Sequence, residues 1–145
     1  MSTASELHGL YFEDLKIGMT AVYGATITDA LILMFASASG DTNPVHLNEE
    51  FAAPSRFKGR IAHGMLTGSF ISTVIGTKLP GPGAIYVSQS LKFKAPVRAG
   101  ETVTARATVT ALNPEKKLAT LSTVCTVAGK PVLEGEAVVL VPSRG

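Results

Sequence analysis

Leu79-Pro80-Gly81-Pro82-Gly83 is the stretch on which the fold turns. Two prolines and two glycines in five residues interrupt any regular element, and the chain has a different periodicity on each side. Upstream, Leu66, Phe70, Val74 and Ile75 recur at helical spacing, with the small residues Gly68, Ser69 and Ser72 between them, which predicts a buried helix over 65–78. Gly68 costs that helix about 1 kcal/mol relative to alanine, so something is expected to pack closely there. Downstream the period becomes two: Ile85, Val87, Gln89, Leu91 and Phe93; then Val103, Ala105, Ala107 and Val109; then Leu121, Thr123 and Cys125; then Ala137, Val139 and Val141. Four strands are predicted, separated by turns at Ala99-Gly100, Asn113-Pro114 and Gly129-Lys130-Pro131, and joined as an antiparallel meander. Helices that precede strands rather than alternating with them give an α+β class, with the helices on one face of the sheet.

Further from the breaker, residues 20–27 are rich in β-favouring side chains and predict one more strand. Thr28 is placed to cap a helix over 29–39, with Leu31, Met34, Phe35 and Ala38 as its apolar stripe and Gly40 as its stop. Asn48 can cap a short helix through Phe51, and the polar run 55–60 reads as a loop.

The 145 residues suit a single domain, 1–145 with its core at about 10–142, in which a partner subunit completes the buried surface. Hydrophobic residues make up 46% and charged residues 17%, an apolar excess that an interface between subunits would absorb; a homodimer is expected. A net charge of +2, no Trp and three Tyr exclude the usual basis of nucleic-acid binding. Membrane insertion is not expected, because no run approaches the roughly 18 apolar residues of a span. The single cysteine, Cys125, lies in an alternating run as a buried thiol and fits a reducing, cytoplasmic setting.

Chemistry concentrates in Asp41-Thr42-Asn43-Pro44-Val45-His46 and in His63-Gly64-Met65-Leu66. Asn43-Pro44 favours a bend, so Asp41 and His46 can converge from either side of it. A carboxylate beside an imidazole is equipped for general acid–base work near neutral pH. Gly64 opens the apolar helix, where free N–H groups and the helix dipole favour a negatively charged oxygen. Each residue also has a plainer reading: Asp41 as the start of an Asx-turn with Asn43, His46 as a packed histidine, and Gly64 as a turn glycine. His63 reads as structural, since a helix start disfavours a protonated ring. No metal is expected, because Asp41, His46 and His63 lack a recognised close ligand spacing. Lys92, Lys94 and Arg98 can meet an anionic ligand's phosphates or simply decorate a solvated face.

Phe35-Ala36-Ser37, the 41–46 turn, Ile61-Ala62-His63-Gly64-Met65-Leu66 and Gln89-Ser90-Leu91-Lys92-Phe93-Lys94-Ala95-Pro96-Val97 together resemble the MaoC-like dehydratases. Among these the chain is similar to the short, stand-alone R-specific enoyl-CoA hydratases. The resemblance implies a hot-dog fold, a long central helix wrapped by an antiparallel sheet, usually as a dimer. It implies that Asp41 and His46 are the catalytic pair, that Gly64 N–H holds the oxyanion, and that Asn43 and Ser72 support the substrate. The implied substrate is an acyl-CoA and the implied reaction is reversible hydration of a trans-2-enoyl-CoA, with no cofactor. Two other readings stand beside it: a hot-dog thioesterase that attacks the thioester carbonyl, and a non-catalytic acyl-CoA-binding module.

Overall fold

A computed structural model describes residues 2–145; Met1, the first residue of the expected domain span, lies outside them. Its elements run α1 (Thr3–Leu7), a 3-10 turn (Phe12–Asp14), β1 (Thr20–Thr26), α2 (Asp29–Ser39), α3 (Pro44–Leu47), α4 (Glu49–Ala52), α5 (Gly64–Thr77), β2 (Ile85–Gln89), β3 (Lys92–Phe93), β4 (Thr102–Asn113), β5 (Leu118–Val127) and β6 (Lys130–Leu140). The antiparallel sheet has the order β1-β4-β5-β6-β2, with β3 also on β6.

The sheet wraps α5. Leu66, Phe70, Ile71, Val74 and Ile75 are buried on the helix, and the inward alternation of β4 and β5 supplies Val103, Ala105, Ala107, Val109, Leu121 and Cys125 opposite them. Alanine at three inward positions of β4 and β5 lets the strands approach the helix, while β-branched residues fill the gaps. Full burial of a side chain the size of Val74 or Leu121 contributes about 1.5–3 kcal/mol. Between β5 and β6, Ala128 and Gly129 both have positive φ, 51° and 79°, the backbone of a tight hairpin turn matched to strand twist. This is the expected α+β hot-dog arrangement.

Four expectations change. The four C-terminal strands are not one meander: β2 pairs with β6, Ile85 opposite Leu140 and Gln89 opposite Ala137. The outer edge of β4 is occupied by β1, from Thr20 opposite Thr108 to Thr26 opposite Thr102, so β6 offers the free edge. The strand expected over 85–93 is split at Ser90, whose carbonyl crosses where a Cβ on Gly135 would collide with it. On α2 the buried line is Ile32 and Ala36, with Leu31 and Phe35 half-buried and Met34 and Ala38 exposed, one residue round from the expected stripe. Strand β2 is also unlike its pattern. It is uncovered on both faces, with Ile85 and Val87 each 57% exposed.

Candidate active site

The site is built where α2 ends. Gly40 takes the left-handed conformation, φ 78°, and Ser39 Oγ donates to the Phe35 carbonyl while accepting the Asp41 N–H at 3.1 Å. Asp41 Oδ1 then accepts the Asn43 N–H at 3.2 Å, and Asn43 Oδ1 accepts the Val45 N–H at 3.1 Å. Asn43 is thereby the N-cap of α3, with Pro44 following it at a position where a missing N–H costs nothing. The plainer readings of Asp41 and Asn43 are therefore true of their local bonding. Asp41 remains exposed, and its Oδ2 has no partner among the described residues.

His46, on α3, is buried, with Nδ1 2.8 Å from the Ile61 carbonyl oxygen. A carbonyl only accepts, so Nδ1 carries a proton, and in the neutral ring Nε2 keeps its lone pair. Arg60 holds the same turn from the other side: its Nε donates to the His46 carbonyl at 2.8 Å and its Nη2 to Asp29 at 3.1 Å. Arg98 donates to the carbonyls of Phe57 and Arg60. It thus braces the loop that carries Arg60 rather than decorating a solvated face. Lys94 pairs at 3.8 Å with Glu134, and Lys92 lies exposed on β3.

His63 lies behind the pair, 1% exposed, with Nε2 2.8 Å from the Asp41 carbonyl oxygen and its ring stacked on His46 at 3.8 Å between centroids. Phe35 packs on it at 4.9 Å. One nitrogen or carboxylate oxygen from each of Asp41, His46 and His63 falls within 4.8 Å of the others, a convergence that sequence spacing does not reveal. The two rings lie face to face, 27° apart, the relation of a stack.

Gly64 opens α5, and His63 as N-cap gives it no side-chain bond, so the Gly64 N–H has no acceptor among the described residues. A Cβ at this position would lie 2.6 Å from the Phe93 ring, which packs directly over the glycine. Gly64 lines a cavity of about 470 Å³ with Met65, Thr67, Phe93, Val97 and Leu133, while Arg56 and Lys94 bring positive charge to it. Met65 is shared with a second cavity of about 430 Å³ that holds Ser72, Tyr86 and Gln89. Gln89 is fixed there, its Oε1 accepting from Tyr86 at 2.6 Å and its Nε2 donating to Ser90 O and Thr123 Oγ1. Ser72 is exposed and lies eight positions along the helix from Gly64, about 12 Å of rise, on the second cavity. Sequence reasoning missed Arg60 and the Tyr86-Gln89 pair. The signal for Arg60 was the last of three cations in the polar loop 55–60, just before His63-Gly64.

Comparison with known proteins shows the family. Residues 14–134 match the MaoC like domain. The chain is 62% identical to an (R)-specific enoyl-CoA hydratase of Rhodospirillum rubrum, covering 99% of both chains, and 49% identical to a 3-hydroxybutyryl-CoA dehydratase of Methylorubrum extorquens, covering 96% of this chain and 88% of that one. The structure superposes on the (R)-hydratase from A. caviae involved in PHA biosynthesis with a TM-score of 0.86 at 44% identity, covering 90% of this chain and 99% of that one. By the family match over residues 14–134, the identity to these relatives and the shared fold, the chain belongs to the MaoC-like dehydratase family.

Proposed function

We infer that the protein is an R-specific enoyl-CoA hydratase, adding water reversibly to a trans-2-enoyl-CoA to give the (R)-3-hydroxyacyl-CoA. The observation that carries this reading is the convergence of the Asp41 carboxylate and the His46 ring with His63, directly before the Gly64 N–H that opens α5 with no acceptor among the described residues. Asp41 and the bare Nε2 of His46 hold a water between them and take one of its protons as its oxygen bonds to the β-carbon. The electron pair of the double bond moves onto the thioester, whose oxygen is received by the Gly64 N–H, and the proton taken from the water returns to the α-carbon, leaving the Asp41-His46 pair as it began. A preorganised donor of this kind is worth about 3–4 kcal/mol, and general acid–base assistance about 10²–10⁴-fold. The R configuration rests on the R-specific relatives.

Asn43 supports the pair by fixing the turn, and Ser72 meets the acyl chain in the second cavity. Arg56 and Lys94 are placed to meet the phosphates of an acyl-CoA substrate from the first. The reaction as written calls on no metal or other cofactor. The partner is a second copy, for which the uncovered apolar face of β2 is the favoured contact. The lone buried thiol supports a cytoplasmic setting.

The test follows loss of the enoyl-thioester absorbance with crotonyl-CoA and resolves the product's configuration, with Asp41→Ala as control. Formation of the R product that requires Asp41 is the expected result. Release of free CoA without hydration overturns the reading in favour of a thioesterase, and binding without turnover in favour of a carrier. Val87→Lys, measured by light scattering, is expected to shift the protein from dimer toward monomer.

A further inference from the structure

We propose that His63 is a positioning residue of the hydration reaction, tying the carboxylate, the imidazole and the oxyanion donor into one rigid unit. The inference rests on the hydratase reading above. Its basis is that one residue reaches all three catalytic parts by different means. The Nε2–H of His63 holds the main chain of Asp41 through its carbonyl at 2.8 Å. Its ring covers one face of His46 at 3.8 Å. Its carboxyl carbon forms the peptide bond whose N–H belongs to Gly64, so fixing the His63 backbone fixes that donor's direction.

The electrostatics agree with a positioning role. The carbonyl partner requires the proton on Nε2, and Nδ1 is buried with no partner among the described residues. A ring that exchanged protons with substrate would need an open path to it. Here both nitrogens are closed off, one by a carbonyl and the other by burial at 1% exposure. Phe35 packs on the ring and keeps it from turning. The 22 residues between Asp41 and His63 make this contact the bridge between the α2 end and the α5 start. Among the described residues, the other hydrogen bonds between residues 60–63 and the 41–46 turn, made by Arg60 Nε and by the Ile61 N–H and carbonyl, reach Val45 and His46 rather than Asp41.

The full chain is tested in three forms: wild type, His63→Phe, which keeps a ring and loses the N–H, and His63→Gln, which keeps an N–H donor and loses the ring. With crotonyl-CoA, His63→Phe is expected to lose about 10²-fold in kcat with little change in KM, since misplacement of about 1 Å costs that much. His63→Gln is expected to recover about tenfold of that loss, because a donor to Asp41 is restored. A His63→Phe enzyme that turns over like the wild type, or a His63→Gln enzyme no better than His63→Phe, overturns the proposal. Nitrogen NMR of the wild-type imidazoles tests the geometry without any variant. A proton on Nε2 of His63 with Nδ1 bare supports it, and the opposite tautomer overturns it. A wild-type protein that does not hydrate crotonyl-CoA while showing the expected tautomer counts against the hydratase reading and not against the contact.

Discussion

Residues 28–63 and residues 102–141 are held together by different forces. In the second region, β4, β5 and β6 are joined by long main-chain ladders with one register shift in each pairing, and inward side chains of β4 and β5 alternate with outward ones. Almost nothing there depends on a particular polar side chain. In the first region few large side chains are buried, and shape comes from side chains bonded to main chain: Ser39 to Asp41, Asp41 to Asn43, Asn43 to Val45, His46 to Ile61, Arg60 to His46 and His63 to Asp41. Stability and chemistry are thus assigned to different segments of one chain, and substitutions should separate them.

The largest effect is expected from Asp41→Asn, which keeps the Asx-turn acceptor and removes the charge. Turnover should fall by about 10²–10⁴-fold with the thermal midpoint nearly unchanged, as steady-state kinetics and calorimetry would show. Leu121→Ala is its counterpart in the sheet, fully buried against α5. It should cost about 2–5 kcal/mol in denaturant unfolding and leave turnover per folded molecule near wild type. A large loss of turnover there would mean that the two regions are coupled.

Asn43→Ala strikes the boundary between them. Loss of the cap should cost about 0.5–2 kcal/mol and also lower kcat, because the same turn orients Asp41. Unchanged kcat in this variant would show that the turn is held well enough by its other bonds.

Cys125 supplies a pH test of the sheet. Burial pushes its thiol up to about 12, above the ordinary value of an exposed thiol, about 8.5. The folded protein therefore retains a proton that the unfolded chain releases, and this contribution to stability is full below the unfolded value and is lost as pH rises toward 12. Cys125→Ala should flatten the alkaline fall in the thermal midpoint, and the wild-type thiol should resist a thiol reagent until the protein unfolds. The smallest effect is expected at Thr67, whose buried Oγ1 has no partner among the described residues. Thr67→Val should leave the midpoint unchanged or slightly raised, since a buried hydroxyl without a partner contributes nothing to stability.

What the sequence showed follows the same division. The strands, the central helix and both ends of α2 were legible because period two, period 3.6, Thr28 and Gly40 are local signals. The partner of β2 was not, because pairing depends on which edge β1 leaves open. The turn that brings Asp41 toward His46 could be read from Asn43-Pro44. The parts played by Arg60 and Arg98 could not, since both act on carbonyl groups, which every residue has and no motif marks. His63 was read as structural from its place before a helix, and its contact across 22 residues appears only when the chain is folded.

The relay through Ser39, Asp41, Asn43 and Val45 has a consequence for the entropy of the site. Each of its links spans two residues. Closing so short a loop restricts few bonds, whereas joining distant parts of a chain costs more as the intervening length grows. The curvature of the turn is accordingly set by its immediate neighbours, and the rest of the fold has only to bring the Ile61 carbonyl and the His63 ring up to a shape already specified. Insertions elsewhere in the chain therefore leave the internal geometry of residues 39–45 to the same three side chains and three main-chain N–H groups.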